Sequence, residues 1–319
     1  MQELKFKPKS KIREFLGEKF LAVNAWVALI GIFLIFVFIF KETIPLFLDP
    51  EATQHAGLGK MLFKQVWTEG KAAKWSWQPN SGTPKFSLLP LFLGTIKAAI
   101  VAMLFAAPLG VGAAMYSSEF AGKRMREVIK PVIELLAGIP SVVLGFFALI
   151  VLASFVQSTF GFDYRLNSVT AGIALGIAII PIIFTVAEDA MVSVPQSLRD
   201  AALAVGANRW QVSFTVVLPA ALPGIFASFV LGFGRAIGET MIVLMASGNA
   251  AIISMNFNEP IRTFSATIAA ELGEVVFGDT HYSVLFFIGV LLFIFTFLVN
   301  LTSHVVMERL RERLQGRTK

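Results

Sequence analysis

Six stretches of this chain are each long and apolar enough to cross a lipid bilayer, and no water-soluble core could hold them all. They run Leu21–Phe40, Ser87–Ser117, Pro131–Gln157, Ser168–Asp189, Leu218–Ala246 and Tyr282–Ser303. A helix needs about 20 apolar residues to span the hydrocarbon layer, where every backbone polar group must find its partner inside the fold. The composition agrees, since 56% of the 319 residues are hydrophobic, only 15% are charged and 31 are Phe, too apolar for a soluble domain. The sequence therefore predicts an all-α polytopic membrane protein with six transmembrane helices.

Most of the 27 Lys and Arg fall in the two tails and in the loops after the second and fourth spans. The excess of basic residues on one side predicts cytoplasmic N- and C-termini; the lysines of the first external loop run against that trend. The expected division is a cytoplasmic tail at 1–20 with a short amphipathic surface helix, a first span at 21–40, a periplasmic loop at 41–86, a five-helix core at 87–303 with a cytoplasmic loop at 190–217, and a second tail at 304–319. Lys41-Glu-Thr-Ile-Pro45 follows the first span with no small-residue cleavage pattern, so that span reads as an uncleaved anchor. The net charge of +6 is explained by residues flanking spans. It forms no stripe, so a bilayer and not nucleic acid is the expected partner. With no Cys and only His55, His281 and His304, disulfides and thiolate metal sites are excluded, and no metal site is expected.

Within this frame Trp67, Trp75 and Trp77 read as markers of the membrane interface. The small residues of Gly110-Val-Gly-Ala-Ala114 predict close helix packing, and Pro140 predicts a kink or a break in the third span. Lys97 is expected to snorkel to the headgroups. Glu134 is expected to pair with Lys130 or water, and Glu188 and Asp189 with Arg199 or Arg209.

The loop at 190–217 is more than a turn. Pro195 can start a helix and Gly206 can stop one, and Ser193 with Gln196 fits a capping box. Leu198, Ala201, Ala202 and Val205 recur at helical spacing and share one face. A second short helix is expected after Asn208. Helices this short need a partner surface, either the protein's own span ends or another chain.

Two charges sit inside the fifth span, in Gly232-Phe-Gly-Arg-Ala-Ile-Gly-Glu-Thr240. A charge at that depth costs several kcal/mol unless it meets a partner or water. A continuous helix would place Glu239 on the same face as Arg235. The residues alone leave two readings, a structural ion pair or a fork-shaped docking point for an oxyanion in a pathway.

Asp200, Ala201, Ala202 and Gly206, followed by Val216, Leu218 and Pro219, resemble the loop shared by permease subunits of bacterial ABC importers, with Asp in place of Glu and Val in place of Ile. That resemblance implies a type I importer permease core whose coupling helix docks on a separate ATPase. This chain has no phosphate loop, because Gly57-Leu-Gly-Lys60 lacks its spacing and hydroxyl residue. ATP and Mg are thus expected on the partner. Gly232–Met241 resembles the fifth-span signature of phosphate ABC permeases, and Glu134-Leu-Leu-Ala-Gly-Ile-Pro-Ser-Val-Val143 their third-span motif. Ser265-Ala-Thr-Ile-Ala-Ala-Glu-Leu-Gly-Glu274 and His281-Tyr282 resemble the PstC-type subunit in preference to its PstA-type partner. The resemblance implies a multi-pass inner-membrane subunit of an ATP-driven phosphate importer, with Arg235 and Glu239 in the pathway. Its implied partners are a PstA-like permease, a PstB-like ATPase dimer and a PstS-like phosphate-binding protein. A permease for sulfate, molybdate or phosphonate is the alternative, and an ion-coupled secondary transporter a further one. No nucleophile–base cluster marks an enzyme.

Overall fold

In the computed structural model, residues 11–66 and 73–314 are described. Trp67 and the first ten residues of the expected N-terminal tail lie outside them. Helix α1 (Lys11–Thr43) is one uninterrupted element, so residues 11–20 continue the first span and form no separate surface helix. At 1.5 Å per residue it is about 50 Å long, well beyond the ~30 Å hydrocarbon layer.

The segment after α1 is folded. Three short helices, α2 (Pro45–Leu48), α3 (Pro50–Ala56) and α4 (Leu58–Leu62), precede an antiparallel pair, β1 (Trp77–Gln78) and β2 (Lys85–Phe86), with Trp77 opposite Phe86. The turn-rich stretch between the strands closes that hairpin. Leu46, Ala56, Met61, Trp77 and Phe86 bury themselves against Leu88, Leu91, Phe264, Val284, Leu285 and Ile288. The result is a cap over one end of the bundle. Trp77 is 5% exposed within it, so it is a core residue and not an interface marker.

The membrane bundle follows. It comprises α5 (Leu89–Met115), extended by a wide π-helical turn at Tyr116–Phe120; α6 (Lys123–Ala137); α7 (Ser141–Phe147) and α8 (Ala153–Phe160), joined by a second such turn; and α9 (Ser168–Val192). A short pair, α10 (Gln196–Ala204) and α11 (Arg209–Val212), leads through a third π-helical turn into α12 (Leu218–Gly238), followed by α13 (Met241–Ala246), α14 (Phe264–Glu271) and α15 (Thr280–Leu314). Among the described residues six helical stretches are long and apolar enough to span: Phe15–Leu48, Leu89–Phe120, Ser141–Phe160, Ser168–Val192, Arg209–Gly238 and Thr280–Arg309.

The third span is shorter than its hydropathy predicts. Residues Pro131–Ala137 belong to α6, which buries no residue, and the chain breaks at Gly138–Pro140 before α7 begins at Ser141. Pro140 supplies the reason. It has no N–H to donate and its ring disfavours a helical residue before it, so it caps the new helix instead of continuing the old one.

Helix α9 is the hub, buried over most of its apolar length, whereas the first span is left largely uncovered. Its Ala171, Ala174 and Ala178 meet Ala99, Ala102 and Ala106 of α5. A Cβ on Gly172 would lie 2.4 Å from the Val101 side chain, so only glycine allows this approach. Between helices in lipid, close van der Waals packing of small residues supplies the attraction that water supplies elsewhere. The same logic holds at Gly110, where a Cβ would come within 2.7 Å of Ile183.

Candidate functional site

The short helices α10 and α11 lie at the bundle end opposite the cap. Pro195 caps α10, but Ser193 takes no part, because its hydroxyl donates to Ala190 O at 2.7 Å. The expected Ser193–Gln196 box is therefore absent. Gly206, at φ 91°, ends the helix in a left-handed conformation natural only to glycine. The working capping box belongs to α11: Gln211 N–H donates to Asn208 Oδ1 and Asn208 N–H to Gln211 Oε1, both at 2.9 Å.

The loop is fastened to the bundle through Arg199. Its guanidinium donates to Glu119 Oε1 at 2.8 Å and Oε2 at 3.3 Å, to Met191 O at 2.8 Å, and to Val194 O. Arg199 thereby ties α10 to the ends of α5 and α9. Ala202 packs into the cluster of Val212, Val217 and Met191, and Leu218 and Pro219 open α12. Leu198 and Val205 are left uncovered, at 46% and 86% exposure. Asp200 and Ala201 are also exposed, with Asp200 accepting a hydrogen bond from Gln196 Nε2 at 3.0 Å. The chain's own span ends cover only part of the apolar face.

Glu188 and Asp189 do not meet Arg199 or Arg209. Glu188, fully buried, pairs with Arg126 at 2.8 Å and Lys130 at 3.0 Å, and Lys130 also reaches Asp189 at 3.1 Å. Hydrogen bonds to Glu188 and then Asp189 raise the Lys130 pKa above the ordinary lysine range, against a smaller opposing effect of burial. With Lys130 committed there, Glu134 is exposed and makes no ion pair among the described residues.

Arg235 sits on α12 and is exposed, with no hydrogen bond or ion pair among the described residues. The expectation that Glu239 shares its helical face is corrected: α12 ends at Gly238, and Glu239 is extended at φ −70°, ψ 133°. Ser265 Oγ donates to the Glu239 carbonyl at 2.7 Å, which holds the chain in its turned course. The Glu239 carboxylate is half-buried and has no ionic partner among the described residues. The pair is not a structural salt bridge in this chain. A Cβ on Gly234 or Gly238 would meet nothing within 4 Å, so α12 presents an open, slim face around Arg235.

Two charges near the cap, buried Lys97 and partly buried Glu271, have partners that were not legible in the sequence. Lys97 is 8% exposed and does not snorkel; its ammonium donates to Ser254 O at 3.1 Å and to Asn256 O, pinning the segment after α13. Glu271 gathers Trp77 Nε1 at 3.0 Å, His281 Nε2 at 2.8 Å and the Arg262 guanidinium. This knot joins the cap to α14 and α15. Burial alone would raise the Glu271 pKa, but the hydrogen bonds from His281 and Trp77 and the charge of Arg262 more than offset it, leaving it below the ordinary range. A depressed carboxylate pKa stabilises the fold above the ordinary glutamate range, and that stabilisation is lost as the pH falls through the folded-state value. Glu271→Gln should therefore lower the unfolding free energy by about 2 kcal/mol at neutral pH. The gap to the parent should close in acid. Thermal unfolding across pH checks both, and a gap that widens in acid refutes the assignment.

Among the described residues no group of three His, Asp or Glu could hold a metal ion. A bundle of apolar spans with an uncovered, structured loop, and with an Arg on one span that is unpaired among the described residues, has the parts a transport permease needs. The sequence matches the binding-protein-dependent transport system inner membrane component family over residues 106–315, and the chain belongs to that family. It is similar to the phosphate transport system permease protein PstC of Mesorhizobium japonicum, 36% identical over 257 residues, covering 75% of this chain and 78% of the relative. A probable ABC transporter permease protein, YqgH of Bacillus subtilis, is 37% identical over 235 residues, covering 73% and 76%. Among solved structures, a bacterial ABC transporter that imports the acidic polysaccharide alginate matches with a TM-score of 0.61 at 15% identity, over 94% of this chain and 99% of that one. That likeness concerns the fold.

Proposed function

We infer that this multi-pass inner-membrane chain is the PstC-type permease subunit of an ATP-driven importer of inorganic phosphate. The observation that carries the substrate class is the similarity to PstC permeases over about three quarters of the chain. The subunit is not itself an enzyme. Its loop end faces the cytoplasm and its cap the periplasm, in keeping with the distribution of basic residues. An ATPase dimer of PstB type, which holds ATP and Mg, grips α10 along the exposed apolar face of Leu198, Ala201 and Val205, with Asp200 exposed on an adjoining side of the helix. A PstA-like permease completes the pathway, and a PstS-like protein delivers phosphate at the cap.

The open face of α12 is the chain's contribution to the pathway. Arg235 offers a planar fork of donors matched to a tetrahedral oxyanion, and with no partner among the described residues that fork is open to the solute. Glu239 stands at the bend beyond it and disfavours over-tight binding. It also accepts a hydrogen bond from a protonated phosphate oxygen, which sulfate lacks at neutral pH. The cycle is alternating access: closure of the ATPase moves α10, and Arg199 carries the motion to the ends of α5 and α9.

The deciding experiment is uptake of radiolabelled phosphate into vesicles holding all four components and ATP, with sulfate, molybdate and phosphonate as competitors. Unlabelled phosphate should compete effectively and none of the three other oxyanions should; effective competition by one of them would overturn phosphate as the substrate. Glu239→Gln should narrow the preference for phosphate over sulfate; unchanged selectivity would remove Glu239 from the discrimination.

A further inference from the structure

A polar cavity of about 400 Å³ lies between the short helix pair and the ends of the spans. Its lining includes Arg126, Arg199 and Arg209 with Ser118 and Ser213, and one carboxylate, Glu119. Three guanidinium groups thus face one acid. Glu119 is already held by Arg199 at 2.8 Å, and Arg126 is held by Glu188, also at 2.8 Å. Arg209 is exposed and has no side-chain hydrogen bond or ion pair among the described residues. The cavity therefore has an unspent positive charge at Arg209 with a second and a third guanidinium, each already paired, beside it; the Ser213 and Ser118 hydroxyls already donate to Arg209 O and Met115 O.

Its position favours a small solute over a partner's side chain. Gln196, Arg199 and Leu203 line it, on one side of α10. Leu198 and Val205 lie around the other side of that helix at 100° per residue. A protein gripping the apolar side leaves the cavity unfilled. A phosphate-class oxyanion fits, since arginine forks match its oxygens and the volume leaves room for accompanying water.

We propose that this cavity is a second oxyanion site on the cytoplasmic face, and that its occupancy slows the transport cycle. An anion bridging Arg209 on α11 to Arg199 on α10 and Arg126 on α6 braces the loop against the very elements it must move. Phosphate delivered into the cell would then act back on the machine that delivers it. The proposal rests on the reading of the loop as the ATPase-coupling element. The same phosphate chemistry is presented by a lipid headgroup at this depth, so the two sources are separated experimentally.

The test uses the permease–ATPase complex without the phosphate-binding protein and carrying Arg235→Gln, so that neither that protein nor the pathway contributes phosphate binding. Binding of radiolabelled phosphate is measured by equilibrium dialysis, with and without Arg209→Gln. A half-saturation shift of about ten-fold or more is expected from the loss of the free guanidinium. In the complex with native Arg235, ATP hydrolysis in zwitterionic vesicles should be inhibited by phosphate added at the loop side, and Arg209→Gln should shift that inhibition by a similar factor. Identical curves for both forms, in binding and hydrolysis alike, overturn the site. If hydrolysis responds instead to anionic lipid, and only with Arg209 present, the occupant is a headgroup and the product-sensing role is overturned. Failure of the transport reading would appear separately, as absent phosphate uptake by the parent complex.

Discussion

Replacing Arg235 with Gln should reduce ATP-driven phosphate uptake by about 100-fold or more while leaving the protein folded and assembled. The two halves of this expectation come from different observations. Arg235 makes no contact with another described side chain through a hydrogen bond or ion pair, so its removal leaves no buried acid behind. Substitutions of that kind stay within about 0.5 kcal/mol in stability. The transport loss arises because an anion leaving water needs a compensating charge, and a charge-assisted fork supplies roughly 3 kcal/mol, equivalent to about two decades in rate or affinity. Arg235→Lys keeps the charge and loses the planar fork, so it should fall between the two. Uptake by the assembled Gln variant at the parent's rate would end the pathway role of this residue. An unfolded Gln variant would show instead that Arg235 is structural.

Much of this architecture was legible because it depends on local chemistry. Hydropathy marks a span wherever about 20 apolar residues run together, and Pro195, Gly206 and Asn208 mark the loop's two short helices within a few positions. Pro140 announced a break, yet the apolar run on either side hid which half was the span. The errors over the charged residues share one cause. Glu239 leaves the helical face because Ser265, 26 residues on, captures its carbonyl. Lys97 is buried by carbonyls 157 and 159 residues away, and Glu271 is met by Trp77 across 194 residues. No spacing rule reaches that far. Charges placed in apolar sequence were visible; their partners were decided by how the helices stack. The resemblance to importer permeases marked Asp200, Ala201, Ala202 and Gly206 as the expected docking residues, but the anchoring Arg199–Glu119 pair emerged only from the fold.

That pair sets the second large effect. Arg199→Ala should leave the ATPase bound and hydrolysing while phosphate uptake falls by about 100-fold. Leu198, Val205 and Asp200 remain exposed without Arg199, so the gripping surface survives. What is lost is the tie to Glu119, Met191 and Val194, and α10 buries none of its residues that could replace it. With side-chain exposures of 13% and 9%, breaking the ion pair also strands an acid, at a cost of about 3–5 kcal/mol. Stability and coupling must therefore be separated. Adding Glu119→Gln removes the stranded charge and should recover expression and thermal stability, because a neutral amide tolerates the site better than an unpaired carboxylate. It should not recover uptake, since no link is restored between the loop and the ends of α5 and α9. If the double variant transports as the parent does, Arg199 serves only to neutralise Glu119, and the motion of the loop must reach the spans through Ala202 and α12.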